Sequence, residues 1–140
     1  MIETALLEEA HFDDTQRELL KLTWELLHAI HTGDIAFYAK HSTADLSCFE
    51  DVCAYRIDGV DFHLSLMRQM AENPDMAPRR FDIVSPRVQV YGDTAIVTYT
   101  RLMTFDSHGT PVWKTYNETR VYIQREGVWK MAHFHRSPTS

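Results

Sequence analysis

The stretch Asn117–Pro138, NETRVYIQREGVWKMAHFHRSP, decides how this chain folds. Two runs of β-branched and aromatic residues flank Glu126-Gly127, and glycine supplies the positive φ that a tight hairpin turn demands. The pattern predicts antiparallel strands over 119–124 and 128–136. Side chains alternate across a strand, so Glu118, Arg120 and Tyr122 share one face, with Val121 and Ile123 on the other. In the second strand Arg136 goes with Ala132 and Phe134, and Trp129, Met131, His133 and His135 lie opposite.

Two-residue alternation extends upstream to about residue 79. It predicts strands over 81–91, 94–105 and 111–124, joined at Gly92-Asp93 and Ser107-His108-Gly109, with Pro86 marking an edge position or a bulge. Earlier residues follow a helical period. Asp13, Asp14 and Thr15 offer N-cap chemistry, and Leu19, Leu22, Thr23, Leu26, Leu27 and Ile30 recur at spacings of three and four. Gly33 closes this long helix and Asp34 caps a short second one. Residues 46–50 have strand character, and 51–59 form a connecting segment ending in an Asp58-Gly59 turn. A third helix runs from Val60 through Met70, stopping before Asn73-Pro74 because the residue before proline disfavours helix. Residues 1–12 form a lead segment to a single domain spanning 1–140. The expected architecture is α+β, with helices on one face of a strongly curved antiparallel sheet.

Bulk properties narrow the function classes. With 140 residues, 44% hydrophobic and 11% aromatic, the chain can bury one core. A net charge of −6 argues against binding nucleic acid through phosphate neutralisation. Cys48 and Cys53, the two cysteines present, read as free thiols. The acidic N-terminus lacks the basic start of a signal peptide, and no apolar run is long enough to span a membrane. The expectation is a cytoplasmic protein without metal or cofactor. His133 and His135 have a spacing seen in some metal sites, but no further ligands are set by spacing.

The strands carry apolar residues on both faces. In 94–105, Ala95, Val97, Tyr99, Met103 and Phe105 occupy one face and Ile96 and Leu102 the other. Helices can cover one face; the second needs another protein surface, most simply a second copy of the chain. Val121, Ile123, Trp129, Met131, His133 and His135 are the expected oligomer interface. The covered face poses the opposite difficulty. Arg101, Arg120 and Arg136 share parity with Tyr99, Met103, Tyr122 and Phe134, and a guanidinium cannot be left buried and unpaired. Either these arginines pair with internal carboxylates such as Glu118 and Glu50, or they line a concavity that receives an anion.

The motifs ETRVY at 118–122, GVWK at 127–130 and HFHRS at 133–137, with TGD at 32–34, CFE at 48–50 and GVDFH at 59–63, closely resemble the association (hub) domain of calcium/calmodulin-dependent protein kinase II. The resemblance runs from about Thr15 to Pro138. It implies a nuclear transport factor 2-like cone of curved sheet around a long helix, and assembly of dimers into rings. It also implies a deep pocket in which Arg101, Arg120, Arg136 and His63 meet a small carboxylate or an acidic peptide. Glu118 and Tyr99, which share the parity of these arginines, complete the expected ligand-binding set. The resemblance departs at 64–71 and 51–58. Kinase activity is not expected of this chain.

The same broad fold hosts ketosteroid isomerases and polyketide cyclases, so fold alone does not decide activity. An enzyme of that type would need a general base in the cone, for which Glu118, Glu50 and His63 are the candidates. An arginine beside Glu118 would keep it an ion-pair partner, which weakens it as a proton-transfer group. The favoured reading is a homo-oligomerisation domain with a cationic pocket, and the alternative is a small enzyme using that pocket.

Overall fold

A computed structural model describes residues 12–73, 75 and 78–139, so the expected lead segment lies outside the described residues except for Phe12. Helix α1 (Asp14–Thr32) begins where Asp13 and Gln16 exchange side-chain-to-backbone hydrogen bonds, each 2.8 Å, in a reciprocal capping box. It ends at Gly33, whose φ of 74° is left-handed and whose missing Cβ would stand 3.3 Å from the Ala71 Cβ. Both constraints call for glycine. Asp34 then caps α2 (Ile35–Lys40) by accepting the Phe37 N–H. Strand β1 (Ser42–Phe49) starts earlier than its sequence signal, and the connecting segment contains a short β2 (Ile57–Asp58). Helix α3 (Asp61–Glu72) stops before Asn73 as expected.

Four long strands complete the chain: β3 (Arg80–Tyr91), β4 (Thr94–Ser107), β5 (Thr110–Arg125) and β6 (Val128–Pro138). The curved sheet has the order β2-β1-β6-β5-β4-β3. All neighbours are antiparallel except β1 and β6, which run parallel. Pro86 lies in the edge strand β3, at a register shift between Val84 and Arg87, and Ser85 before it has a φ of 52°. Glu126 and Gly127 both have positive φ, 53° and 77°, as a two-residue hairpin turn requires.

The helices cover one sheet face. Leu19, Leu20, Leu26 and Leu27 of α1 are buried against Ala95, Val97, Tyr122 and Phe134 of the sheet. A buried 2.6 Å hydrogen bond between Thr23 Oγ1 and the Tyr122 hydroxyl ties α1 to β5. No helix among the described residues is long and apolar enough to cross a membrane.

One expectation is overturned here. Trp129 and Met131 do not belong to an outer interface; they are 4% and 0% exposed and sit in the core. The cause is a bulge in β6. Val121 pairs with His133 and Tyr122 with Met131, leaving Ala132 as an extra residue. An inserted residue reverses the phase of alternation, so Trp129 and Met131 before the bulge face the same way as Phe134 and Arg136 after it. Val121, Ile123, His133 and His135 remain on the outer side. Met131→Ala should therefore lower fold stability by about 2–5 kcal/mol, the usual cost of emptying a core site. Chemical denaturation at fixed protein concentration measures this; an interface residue would instead change particle size and leave the folded subunit intact.

Candidate functional site

The three central strands set the site through register. Tyr99, Glu118 and Arg136 lie side by side across β4, β5 and β6; Val97, Arg120 and Phe134 form one neighbouring row, and Arg101 stands opposite Tyr116 in another. Alternation turns all these side chains to the helix-covered face. Glu118 is the centre of the contacts. Its Oε1 accepts a 2.6 Å hydrogen bond from the Tyr99 hydroxyl and lies 3.3 Å from Arg120 Nη2. Its Oε2 lies 3.0 Å from Arg101 Nε, whose N–H is not aimed at it, so this attraction is Coulombic. Arg120 Nε donates to the Tyr99 hydroxyl at 2.8 Å, Nη1 points to Met131 Sδ, and the guanidinium lies over the Phe134 ring at 4.7 Å.

A second cluster stands beside the first. Arg136 Nε lies 3.1 Å from Glu50 Oε2, and Nε and Nη2 both donate to Asp51 Oδ1, at 2.9 and 2.5 Å. The guanidinium stacks over Tyr116, 4.5 Å from the ring centre. Glu50 Oε1 is 3.2 Å from His63 Nε2, and His63 packs edge-on against Phe134. The first cluster joins two guanidiniums to one carboxylate and the second one guanidinium to two. Across both, charge is balanced.

Burial and charge compete at Glu118. Burial alone pushes its pKa up, but the Arg101 and Arg120 charges and the Tyr99 hydrogen bond outweigh it and hold the carboxyl below its ordinary value. Burial raises Tyr99 well above the usual phenol range, so it remains a neutral donor to Glu118. Cys48 Sγ lies 3.7 Å from His63 Nε2, but burial first and Glu50 second push its thiol up to about 12. Cys48 and Glu50 also share the same ring nitrogen, while Nδ1 has no hydrogen-bond partner among the described residues. A relay would need one partner on each nitrogen, so these residues do not form a nucleophile-activating triad.

A cavity of about 410 Å³ opens beside these clusters, within the range typical of small-molecule sites. Arg101, Arg120, Arg136, His63 and Glu50 line it, as do Leu66, Met67 and Met70 of α3 and Phe81, Met103 and Phe105 of the sheet. Tyr99 and Glu118, expected as ligand-binding residues, are not among its lining; they stand behind the arginines and hold them. Sequence reading missed Asp51, Lys114, Tyr116 and His31, which also line it. Tyr116 and Lys114 were within reach of strand alternation, since both share the parity of Glu118 in β5, and register places Tyr116 opposite Arg101. Asp51 left no such signal, because its reach depends on a loop. His133 and His135 lie outside the cavity on the other sheet face, where His133 Nδ1 is 2.8 Å from Ser47 Oγ and Phe49 packs against both rings. Among the described residues no group of three or more His, Cys, Asp or Glu side chains is placed to hold a metal.

The family profile for the calcium/calmodulin dependent protein kinase II association domain matches residues 15–140. The chain belongs to that family. Over 134 residues this association domain is 33% identical to the calcium/calmodulin-dependent protein kinase type II delta subunit of Oryctolagus cuniculus, covering 94% of the chain but 25% of that subunit. The chain thus spans about a quarter of that relative's length. It also matches the calcium/calmodulin-dependent protein kinase II hub homology domain of Chlamydomonas reinhardtii, at 34% identity and a TM-score of 0.78, over 88% of this chain and 97% of that one. A nuclear transport factor 2-like protein from Cytophaga hutchinsonii shares the fold alone, at 15% identity and a TM-score of 0.75, over 91% and 99% of the two chains.

Glu118 makes the association domain sensitive to acid. Its folded pKa lies below the ordinary 4.5, so its stabilisation is complete above that value and is lost as pH falls through the lowered folded value. Wild-type stability should therefore decline progressively as pH falls below about 4.5. Glu118→Gln, which leaves buried guanidiniums without their carboxylate, should lose about 3–5 kcal/mol at neutral pH and show a shallower acid slope in urea denaturation.

Proposed function

We propose that this association domain joins copies of itself into an oligomer and uses its arginine-lined cavity to hold a small carboxylate or an acidic peptide segment. The carrying observation is a sheet face that no described helix covers. There Ile96, Leu102, Val121 and Ile123 are half-buried beside the more exposed Phe49 and Val84, while the described helices pack on the opposite side. A stable self-association needs roughly 800 Å² from each partner, and a curved sheet of this length offers such a surface. Family membership supports the same reading, since its members are association domains.

The pocket reading rests on chemistry. Arg136 presents a guanidinium, 20% exposed at its side chain, to a cavity that also carries apolar wall from Leu66, Met67, Met70, Phe81, Met103 and Phe105. That pairing suits a carboxylate attached to an apolar body. A general base finds less support there. Glu118 is clamped ionised between two guanidiniums, and Glu50 is shared between His63 and Arg136.

Light scattering at micromolar concentration should return a multiple of the 16.3 kDa chain mass. Val121→Asp with Ile123→Asp should reduce it towards one chain while circular dichroism stays unchanged; a wild-type monomer would refute self-association. Arg136→Ala should weaken binding of 3-phenylpropionate at least tenfold, the scale of losing a charge-assisted pair, and unchanged affinity would refute the pocket reading.

A further inference from the structure

We propose that Asp51 is a built-in competitor for the ligand: its carboxylate occupies the Arg136 edge in the empty domain, and an incoming carboxylate displaces it and frees the 51–56 loop. The proposal rests on the carboxylate-pocket reading above and adds its regulation. An imbalance within the second cluster motivates it. Asp51 takes both hydrogen bonds from this edge of Arg136, at 2.9 and 2.5 Å, while Glu50 Oε2 lies 3.1 Å from the same Nε without receiving one. Two carboxylates on one guanidinium repel each other, so one of them is held less firmly than a single partner would be.

Burial and tethering decide which one yields. The Glu50 side chain is 7% exposed and is also held by His63. Asp51, at 17%, begins the loop that leaves β1, and the following Val52 and Tyr55 are 71% and 79% exposed. The backbone turn from Cys53 N to Glu50 O is long, at 3.3 Å. Asp51 and Val52 both line the cavity, so the loop lies against the site it would guard. A monocarboxylate replacing Asp51 one for one keeps the local charge unchanged and brings apolar surface to Leu66, Met70, Phe81 and Phe105. The acid side chain is thus an intramolecular stand-in for the ligand. Occupancy becomes visible outside the pocket because the displaced residue carries an exposed loop with it.

Such a competitor lowers apparent affinity by the fraction of time it leaves the site open. For a partly exposed ion pair the effect is modest. Asp51→Asn keeps the shape and removes the charge, so it should bind 3-phenylpropionate about fivefold more tightly than wild type by calorimetric titration. Cys53 gives a second readout: it is half-buried in the loop, whereas Cys48 is fully buried. Maleimide labelling of Cys53, located by peptide mass spectrometry, should be faster in Asp51→Asn than in wild type, and saturating 3-phenylpropionate should accelerate it in wild type. Asp51→Ser should behave as Asp51→Asn does. Wild-type binding with equal or weaker affinity in both variants overturns the competitor role and leaves the pocket reading standing. Saturable binding by none of the three proteins overturns the carboxylate pocket, and the competitor role with it. Binding without any change in Cys53 labelling overturns the release of the loop.

Discussion

Glu118 sits fully buried between Arg101 and Arg120, with Tyr99 donating a hydrogen bond to the oxygen that faces Arg120. Desolvating a guanidinium is costly, and only a well-placed partner offsets it. One carboxylate answers two cations here, helped by a phenol that donates to the acid and accepts from Arg120. The arrangement needs β4 and β5 in one register, which turns a polar cluster into a constraint on how the sheet assembles. A slip of one residue in β4 or β5 would send these side chains to the opposite face and bury charges without partners.

That constraint also shapes the cavity. With Glu118 and Tyr99 behind the surface, Arg101 and Arg120 are held at the wall by groups that never meet the cavity themselves. Arg136 differs, since its partners, Glu50 and Asp51, come from the end of β1 and the loop beyond it. The wall has a fixed part built on strands and an adjustable part built on a loop. Functional sites commonly divide in this way, with precision supplied by regular elements and exchange by loops.

Much of this was legible in the chain. The positive φ at Gly127, the capping residues Asp13 and Asp34, the closing Gly33 and the bulge beside Pro86 are local chemistry, and each falls where residue type demands it. The shared parity of Arg101, Arg120 and Glu118 was equally readable, because β4 and β5 pair without interruption along that stretch. Trp129 and Met131 were misplaced because a bulge at Ala132 leaves no distinctive mark in the residues around it. The parallel pairing of β1 with β6 was also hidden, since it joins segments far apart in sequence.

The sequence by itself determined the element types, the turns, the family and which residues could share a face within an unbroken strand. These follow from backbone sterics and two short periods, which act over a few residues. Tertiary structure alone decided the phase of β6 across its bulge, the removal of Tyr99 and Glu118 from the cavity surface, and the meeting of Asp51 with Arg136. Each of these depends on where distant segments stop in space. Strand alternation states which side a residue faces, but only packing sets how far its charge must reach and which partner arrives first.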